Sequence, residues 1–452
     1  MKSIVEAQAR YFQTDVTKAV PFRLEQLRIL RETLKSHEPS LMEAIHADFG
    51  KSAFDTWSNE LGLVYHGLNE AIRMTPKWAK PKRVRTDIIN QPGRSHVRAE
   101  PLGVSLVIGA WNYPYQLSLA PVVAAMAAGN TVVLKPSELP AQSSRAMADM
   151  VRSAFDARYF TVVEGGIPET TALLEEKFDK IFFTGSSTVG KIVYQAAAKH
   201  LTPVTLELGG KSPAILTADC HLEVAAKRLV WAKFINAGQT CIAPDYILVH
   251  RSIRDRFLEL AVKEIQRANY RVENNNYPRI INERNLRRLL ELIDPALLHH
   301  GGGHDLANRT LEPTILKDVR FEDKVMEEEI FGPILPVIAY DDLDDVIGRI
   351  KSRPKPLACY IFTRDSGVRE KLLHEISFGG GTINDAIMHI TNSHLPFGGV
   401  GASGLGSYHG HAGFLAFSNL KGIVDKATWI DPSLRYPPHG KWKFRLVKWL
   451  LD

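Results

Sequence analysis

Two segments decide how the chain reads. The first is Val204-Thr205-Leu206-Glu207-Leu208-Gly209-Gly210-Lys211-Ser212-Pro213, and the second is Phe234-Ile235-Asn236-Ala237-Gly238-Gln239-Thr240-Cys241-Ile242-Ala243-Pro244. The first is a short apolar strand that carries a single carboxylate and ends in a Gly-Gly turn. The second places one cysteine after a small, polar run, where backbone can approach a ligand closely. A thiol and a carboxylate are the minimal kit for covalent catalysis, since one attacks and the other moves a proton. Each residue also has a plain structural reading. A lone cysteine is commonly a small core hydrophobe, and a lone glutamate is commonly solvated. Glu207, however, sits between Leu206 and Leu208, so its carboxyl is either desolvated with a raised pKa or paired. Spacing alone leaves both open.

Working outward, the bulk properties exclude several classes. At 452 residues the chain is long enough for two or three domains and a large core. Apolar residues make up 45% and charged residues 23%, a soluble globular balance. A net charge of +6 spread over this length is too mild to argue for nucleic acid, and no nucleic-acid signature accompanies it. Three cysteines, Cys220, Cys241 and Cys359, exclude a disulfide framework and suit a reducing compartment. Met1 to Thr14 lacks the apolar core of a secretory signal. No uncharged apolar run reaches the length of a membrane span. A cytoplasmic enzyme is the expectation.

Taken in order, residues 1–80 read as helices, one from Val20-Pro21 to Leu34 and a second from Ser40 to Phe49, with Ser40 as its cap and Gly50 as its stop. Val84 to Ile89 and Ser95 to Arg98 flank Asn90-Gln91-Pro92-Gly93-Arg94, the signature of a charged hairpin, better placed as an arm than in a central sheet. From Gly103 the pattern becomes strand–turn–helix. Val104–Gly109, Thr131–Leu134, Thr161–Val163 and Lys180–Phe183 are short apolar strands, and Leu117 to Ala128 is a helix closed by Gly129-Asn130. This alternation predicts a doubly wound parallel sheet, with ligands beyond the carboxyl ends of its strands. Asn112, Lys135, Glu138 and the turn after Phe183 lie at those ends.

Thr184-Gly185-Ser186-Ser187-Thr188-Val189-Gly190-Lys191, before a helix from Ile192 to His200, resembles a phosphate-cradling turn. It matches neither the dinucleotide glycine fingerprint nor a P-loop. A second α/β run follows, with a strand at Ile247–Val249 and a helix capped by Ser252 and running to Arg267. Glu327-Glu328-Glu329-Ile330-Phe331-Gly332-Pro333 sets three acids against an apolar turn, and 378–385 and 395–401 are glycine-dense loops. His299-His300-Gly301-Gly302-Gly303-His304 and His409-Gly410-His411 lack the helix-borne spacing of zinc motifs. They read as loops, and no metal is expected. Cys220 falls at a helix start and Cys359 in a strand, and both are expected to be inert.

Together these stretches resemble the aldehyde dehydrogenase superfamily. The matching segments are Pro101-Leu102-Gly103-Val104, Trp111-Asn112-Tyr113-Pro114, Lys135-Pro136-Ser137-Glu138 and Phe183-Thr184-Gly185-Ser186. They continue with Leu206 to Pro213, Gly238-Gln239-Thr240-Cys241, Glu329 to Pro333 and Leu395 to Gly401, in family order over about three quarters of the chain. The early start, Ala198-Lys199-His200-Leu201-Thr202-Pro203-Val204-Thr205, Ala243-Pro244-Asp245-Tyr246 and Gly406-Ser407-Tyr408-His409-Gly410 look like the class 3, fatty or aromatic aldehyde, branch.

The resemblance implies an α/β fold of three parts. A doubly wound cofactor domain would span 1–82 and 99–206, and an α/β catalytic domain 207–404. A β-hairpin oligomerisation arm would span 83–98 and 405–425, with a tail at 426–452. It implies a homodimer and oxidation of aliphatic or aromatic aldehydes to acids with NAD, with NADP as the alternative cofactor. Cys241 would be the nucleophile, Asn112 with the Cys241 N–H the oxyanion donors, and Glu207 the base that activates water. Lys135 and Glu138 would hold the adenosine ribose, Gly185 and Ser186 the pyrophosphate, and Glu329 the nicotinamide ribose, with Phe331 packed nearby. Tyr113, Trp231 and Thr240 are candidates for the substrate tunnel. Branches that pass the acyl group to coenzyme A, or reduce an acyl phosphate, resemble this scaffold without a glutamate at the position of Glu207. A binding protein that has lost activity is opposed by the intact Cys241, Glu207 and Asn112.

The tail departs from the most familiar soluble members. Over 441–451, Lys441, Arg445 and Lys448 form one helical stripe, opposite Trp442, Leu446, Trp449 and Leu450. Such a short basic amphipathic helix suits a membrane interface. The alternative is a helix docked over a substrate entrance.

Overall fold

Every residue of Val104–Ile108, Thr131–Lys135 and Lys180–Thr184 is buried, and runs of that kind form strands covered on both faces. In the computed structural model, which describes residues 1–451, they build a six-stranded sheet. Its order is Gly404–Leu405, Val204–Glu207, Lys180–Thr184, Val104–Ile108, Thr131–Lys135, Phe160–Val162. The chain steps outward from Val104–Ile108, then returns to lay Lys180–Thr184 and Val204–Glu207 on its other side, all in parallel. Only Gly404–Leu405 runs antiparallel. The strand order therefore reverses between Val104–Ile108 and Lys180–Thr184, and the crevice beyond that point is where such sheets bind ligands.

A second sheet has seven strands, in the order Leu298–His300, Thr314–Leu316, Ile334–Tyr340, Tyr246–His250, Pro213–Leu216, Ala358–Phe362, Gly380–Ile383. Only its first pair is antiparallel. The Gly209-Gly210 turn joins the two sheets, so Glu207 ends a strand of the first while Cys241 precedes a strand of the second. The hairpin arm is a third, separate sheet, Lys82–Val84, Gly93–Pro101 and Ser418–Lys426, antiparallel throughout. Ser418–Lys426 lies at its edge and exposes Leu420 and Val424.

Several local expectations are corrected. Val20–Phe49 is one helix that runs through Pro39 and Ser40. Leu27, Leu30, Leu34, Leu41, Ile45 and Phe49 are fully buried along one stripe, and that burial outweighs the roughly 3 kcal/mol an internal proline costs. Ser40 caps nothing, since its hydroxyl donates to the His37 carbonyl at 2.8 Å. The helix after Gly185 begins at Ser187 rather than Ile192, so Gly190 lies inside it. There Gly190 makes room for Leu208, whose Cδ2 would lie 2.6 Å from an added Cβ. His250, not Ser252, supplies the acceptor at the turn before Arg254–Ala268. The first arm strand is confined to Lys82–Val84, with a 3₁₀ turn at Ile88–Asn90. The first histidine cluster lies largely in the edge strands Leu298–His300 and His304–Asp305, and the second at the start of the helix Gly410–Ala416. Gly380–Ile383 is a strand rather than a loop. No helix among the described residues is long and apolar enough to cross a membrane.

Candidate active site

A cavity of about 890 Å³ opens beyond the carboxyl ends of the first sheet and reaches between the two sheets. It brings together every site residue the sequence suggests: Cys241, Glu207, Asn112, Lys135, Glu138, Gly185, Ser186, Glu329, Phe331, Tyr113, Trp231 and Thr240 all line it.

Cys241 is presented by an unusual turn. Asn236, Ala237 and Gly238 have φ of 52°, 50° and 70° in succession. Left-handed backbone of this kind is disfavoured for Ala and is held only where surroundings over-determine it. Here they do. Asn236 Nδ2 donates to the carbonyls of Asn112 and Gln239, both at 3.0 Å. Gln239 Nε2 donates to the carbonyls of Asn236 and Arg279, both at 3.1 Å, while its Oε1 accepts from Ile281 N–H at 3.0 Å. Gly238 must be glycine, because a Cβ would sit 2.2 Å from the Gly332 carbonyl oxygen.

The thiol lies half-buried at the end of that turn. Burial pushes its pKa up to about 12, with smaller contributions from the charges of Glu329 and Glu207. The backbone N–H groups of Cys241 and Ile242 pull the other way. Asn112 is buried, and its Nδ2 donates to the Gln239 carbonyl at 3.1 Å, which ties it to the Cys241 turn.

Glu207 is 3% exposed, and neither carboxyl oxygen has a hydrogen-bond partner among the described residues. Burial alone raises its pKa well above 4.5. Of the two readings the sequence leaves open, the desolvated one holds. Glu329 is raised to about 8, first by burial and then by Asp245, against the pull of the Gly210 N–H and of Lys211 and Lys233. Its carboxylate fills the space beside Gly209, where a Cβ would meet Oε2 at 1.9 Å.

The substrate candidates separate. Tyr113 Oη is engaged with Thr240 Oγ1 at 2.7 Å, so these two brace one another. Trp231 is open, at 42% exposure.

Sequence reasoning missed the support behind Asn112. Lys51 Nζ donates to the Asn112 carbonyl at 2.9 Å and to Glu60 Oε1 at 2.8 Å, with both side chains at most 3% exposed. Glu60 Oε2 in turn accepts from the N–H groups of Tyr115 and Gln116 at 3.0 and 3.1 Å. An ion pair thus grips both ends of the 112–116 turn. Its signal in sequence is faint, since Lys51 and Glu60 lie among other polar residues of a helical region.

The cavity's remaining polar groups fit a dinucleotide. Lys135 is 1% exposed, and its ammonium donates to the neighbouring Pro136 carbonyl at 2.6 Å, with no acid in salt-bridge contact among the described residues. Burial lowers its pKa. Thr184 Oγ1 is buried without a partner among the described residues. Ser186 caps the helix Ser187–Ala198, turning a helix N-terminus toward the cavity, a ready anion site. Ile167, Val189 and Ile192 expose apolar surface along the same wall.

Comparison with known proteins gives the same picture. The profile of the aldehyde dehydrogenase family matches residues 1–423. The 4,4'-diaponeurosporen-aldehyde dehydrogenase of Staphylococcus aureus is 43% identical over 97% of this chain and 96% of its own length. The dimeric NADP-preferring aldehyde dehydrogenase of Rattus norvegicus is 44% identical over 94% of this chain and 95% of its own. The substrate-bound structure of Staphylococcus aureus AldH superimposes with a TM-score of 0.97 at 41% identity, covering 100% of this chain and 99% of that one. With the family profile matched over residues 1–423 and relatives 43% and 44% identical along nearly their whole length, the chain belongs to the aldehyde dehydrogenase family, whose members oxidise aldehydes with NAD or NADP.

Proposed function

We propose that the chain converts medium- or long-chain aliphatic or aromatic aldehydes to carboxylic acids by a cysteine-bound route completed by hydrolysis. The observation that carries this reading is the buried, unpartnered carboxyl of Glu207 on the same cavity as Cys241. In this reading Cys241 adds to the aldehyde carbon as thiolate and forms a thiohemiacetal. The negative charge that develops on oxygen faces the Asn112 amide and the Cys241 N–H, donors of a kind that contribute about 3 kcal/mol each. When bound, the nicotinamide cofactor supplies the hydride acceptor that turns this adduct into a thioester. Glu207 then takes a proton from water, which attacks the thioester and releases the acid. A carboxylate in a desolvated site is a stronger base than one in water.

For the cofactor, Lys135 and Glu138 would hold the adenosine ribose, and Gly185 and Ser186 the pyrophosphate. Glu329 would hold the nicotinamide ribose, with Phe331 against it. Phe331 sits edge-on to Trp111 with ring centres 5.2 Å apart. The exposed Glu138 carboxylate would repel a 2′-phosphate and favour NAD over NADP.

A homodimer built through the Lys82–Val84, Gly93–Pro101, Ser418–Lys426 arm is part of the proposal, supported by its exposed edge. So is a peripheral membrane contact through 441–451. That helix exposes Trp442 at 60% and Trp449 at 74%, while Lys443 turns inward to donate to the carbonyls of Ser433 and Tyr436 at 2.7 and 2.8 Å. Sedimentation with anionic vesicles should fall when residues 439–452 are deleted, and equal sedimentation would sink the membrane contact.

The deciding experiment uses Glu207→Gln with NAD. One equivalent of cofactor should be reduced per site, after which the enzyme stalls as an acyl-enzyme visible by intact mass. Undiminished steady turnover would remove Glu207 from the hydrolytic role, and turnover that requires coenzyme A would replace hydrolysis altogether.

A further inference from the structure

A narrow second cavity lies between the helices Gly62–Trp78 and Gln116–Ala128. Leu63, Gln116, Ile390, Thr391 and Tyr408 line both this slot and the large cavity that holds Cys241. From that shared wall the slot continues along the two helices past small residues, Gly67 and Ala71 on one and Ala120, Ala124 and Ala127 on the other. Gly67 opens on free space, since a Cβ built there meets nothing within 4 Å. The slot has room of about 70 Å³ and is mostly apolar, enough for the end of an alkyl chain and too tight for a ring system.

One group on the slot is out of keeping with an alkyl chain. Glu70 is 5% exposed and lines it, yet its Oε2 is buried without a hydrogen-bond partner among the described residues. Its Oε1 lies 4.0 Å from Nδ1 of the exposed His394, beyond hydrogen-bond length. Of the two histidines that line the slot, His66 is exposed and makes no ion pair with Glu70 among the described residues, and His409 offers no positive charge. His409 is stacked on Phe397 at 5.2 Å and edge-on to Tyr408 at 4.4 Å, and burial lowers its pKa to about 4. A carboxylate left unpaired at such a depth costs free energy that a donor would recover.

Resting on the aldehyde-oxidising reading above, we propose that the slot receives the far end of the substrate chain and that Glu70 selects aldehydes ending in a hydrogen-bond donor, a hydroxyl or an ammonium. The apolar helices hold the intervening methylenes. Glu70 accepts the terminal hydrogen bond, and a terminal carboxylate is rejected by like charge.

The test compares straight-chain aldehydes of increasing length, in matched sets ending in methyl, hydroxyl, ammonium or carboxylate. Over one window of lengths the hydroxyl- and ammonium-ended members should exceed the methyl-ended one in kcat/KM by about tenfold, the size of one hydrogen bond to a charged group. The carboxylate-ended member should fall below it. Glu70→Leu, of similar volume, should erase the ratio. Gly67→Leu, one turn from Glu70 on the same helix, should block the slot and lower kcat/KM for long chains of every ending, while the shortest aldehydes are oxidised as before. Because a glycine inside a helix is already unfavourable, this second variant puts little at risk in folding. A ratio unchanged by Glu70→Leu, or no length at which donors are preferred, would mean that solvent satisfies Glu70 and would overturn the proposal. Failure to oxidise even the shortest aldehydes would instead overturn the functional reading on which it rests.

Discussion

At the scale of single residues, the unusual feature is a carboxyl that the fold surrounds with nothing to bond. Glu207 has a pKa raised by burial, so the folded protein retains a proton that the unfolded chain loses near pH 4.5. Between that pH and the raised value the folded state binds more protons than the unfolded one, and stability falls as pH rises. Glu207→Gln should therefore melt at a higher temperature than the parent at pH 7, with the gap closing toward pH 4. A gap that is constant across this range would show that the carboxyl is solvated after all. The Cys241 thiol, pushed up to about 12, adds a kinetic counterpart. Single-turnover acylation should accelerate with pH through the neutral and alkaline range, and a flat profile would point to a thiolate formed in another way. Asn112→Ala removes one donor from the developing oxyanion and should cost kcat about 100-fold, or about 3 kcal/mol, with little change in cofactor affinity measured by titration.

At the scale of elements, the geometry of the site depends on two turns. Gly238→Ala would force a Cβ into the Gly332 carbonyl at a left-handed φ of 70°. The turn must then reopen, and both melting temperature and acylation rate should drop together. Lys51→Met strands Glu60 in the interior, a loss of about 3–5 kcal/mol when a buried pair is broken. Activity per folded molecule should fall as well, because the Asn112 carbonyl loses one of its two donors, and Lys51→Arg should restore part of both. These turns also mark the limit of what sequence shows. The strands beside them are legible because short runs such as Lys180–Thr184 are apolar throughout, and the helix Gln116–Ala128 because it is apolar all round and ends at Gly129. Cys241, Glu207 and Asn112 are legible because each sits in a motif. The Val20–Phe49 helix was misjudged at Pro39, where a local rule meets a buried stripe that overrides it. Lys51, Glu60 and Glu70 were invisible for a related reason. Their burial follows from which helices lie against one another, and a charged residue in a polar helical stretch carries no local mark of it.

At the scale of the whole molecule, the cavity belongs to neither sheet alone. Glu207 ends a strand of the six-stranded sheet, and Cys241 precedes a strand of the seven-stranded one. A substitution that shifts the two sheets relative to one another should change the rate of thioester hydrolysis without touching a residue of the site. The tail helix is a more independent part. Lys443, the one buried residue of this helix among those described, donates to carbonyls of the tail itself, Ser433 and Tyr436, so removing the helix should leave the oxidation of short aldehydes in solution intact.

The arm has a consequence of a different kind. Its outermost strand, Ser418–Lys426, presents a row of unused backbone donors and acceptors beside Leu420 and Val424, the sort of border that proteins seldom leave bare. A second copy laid along it would gain that border only when assembled. The melting temperature of this chain would then climb with its own concentration, and dilution alone, with no change of solvent or sequence, would become a way of taking the enzyme apart.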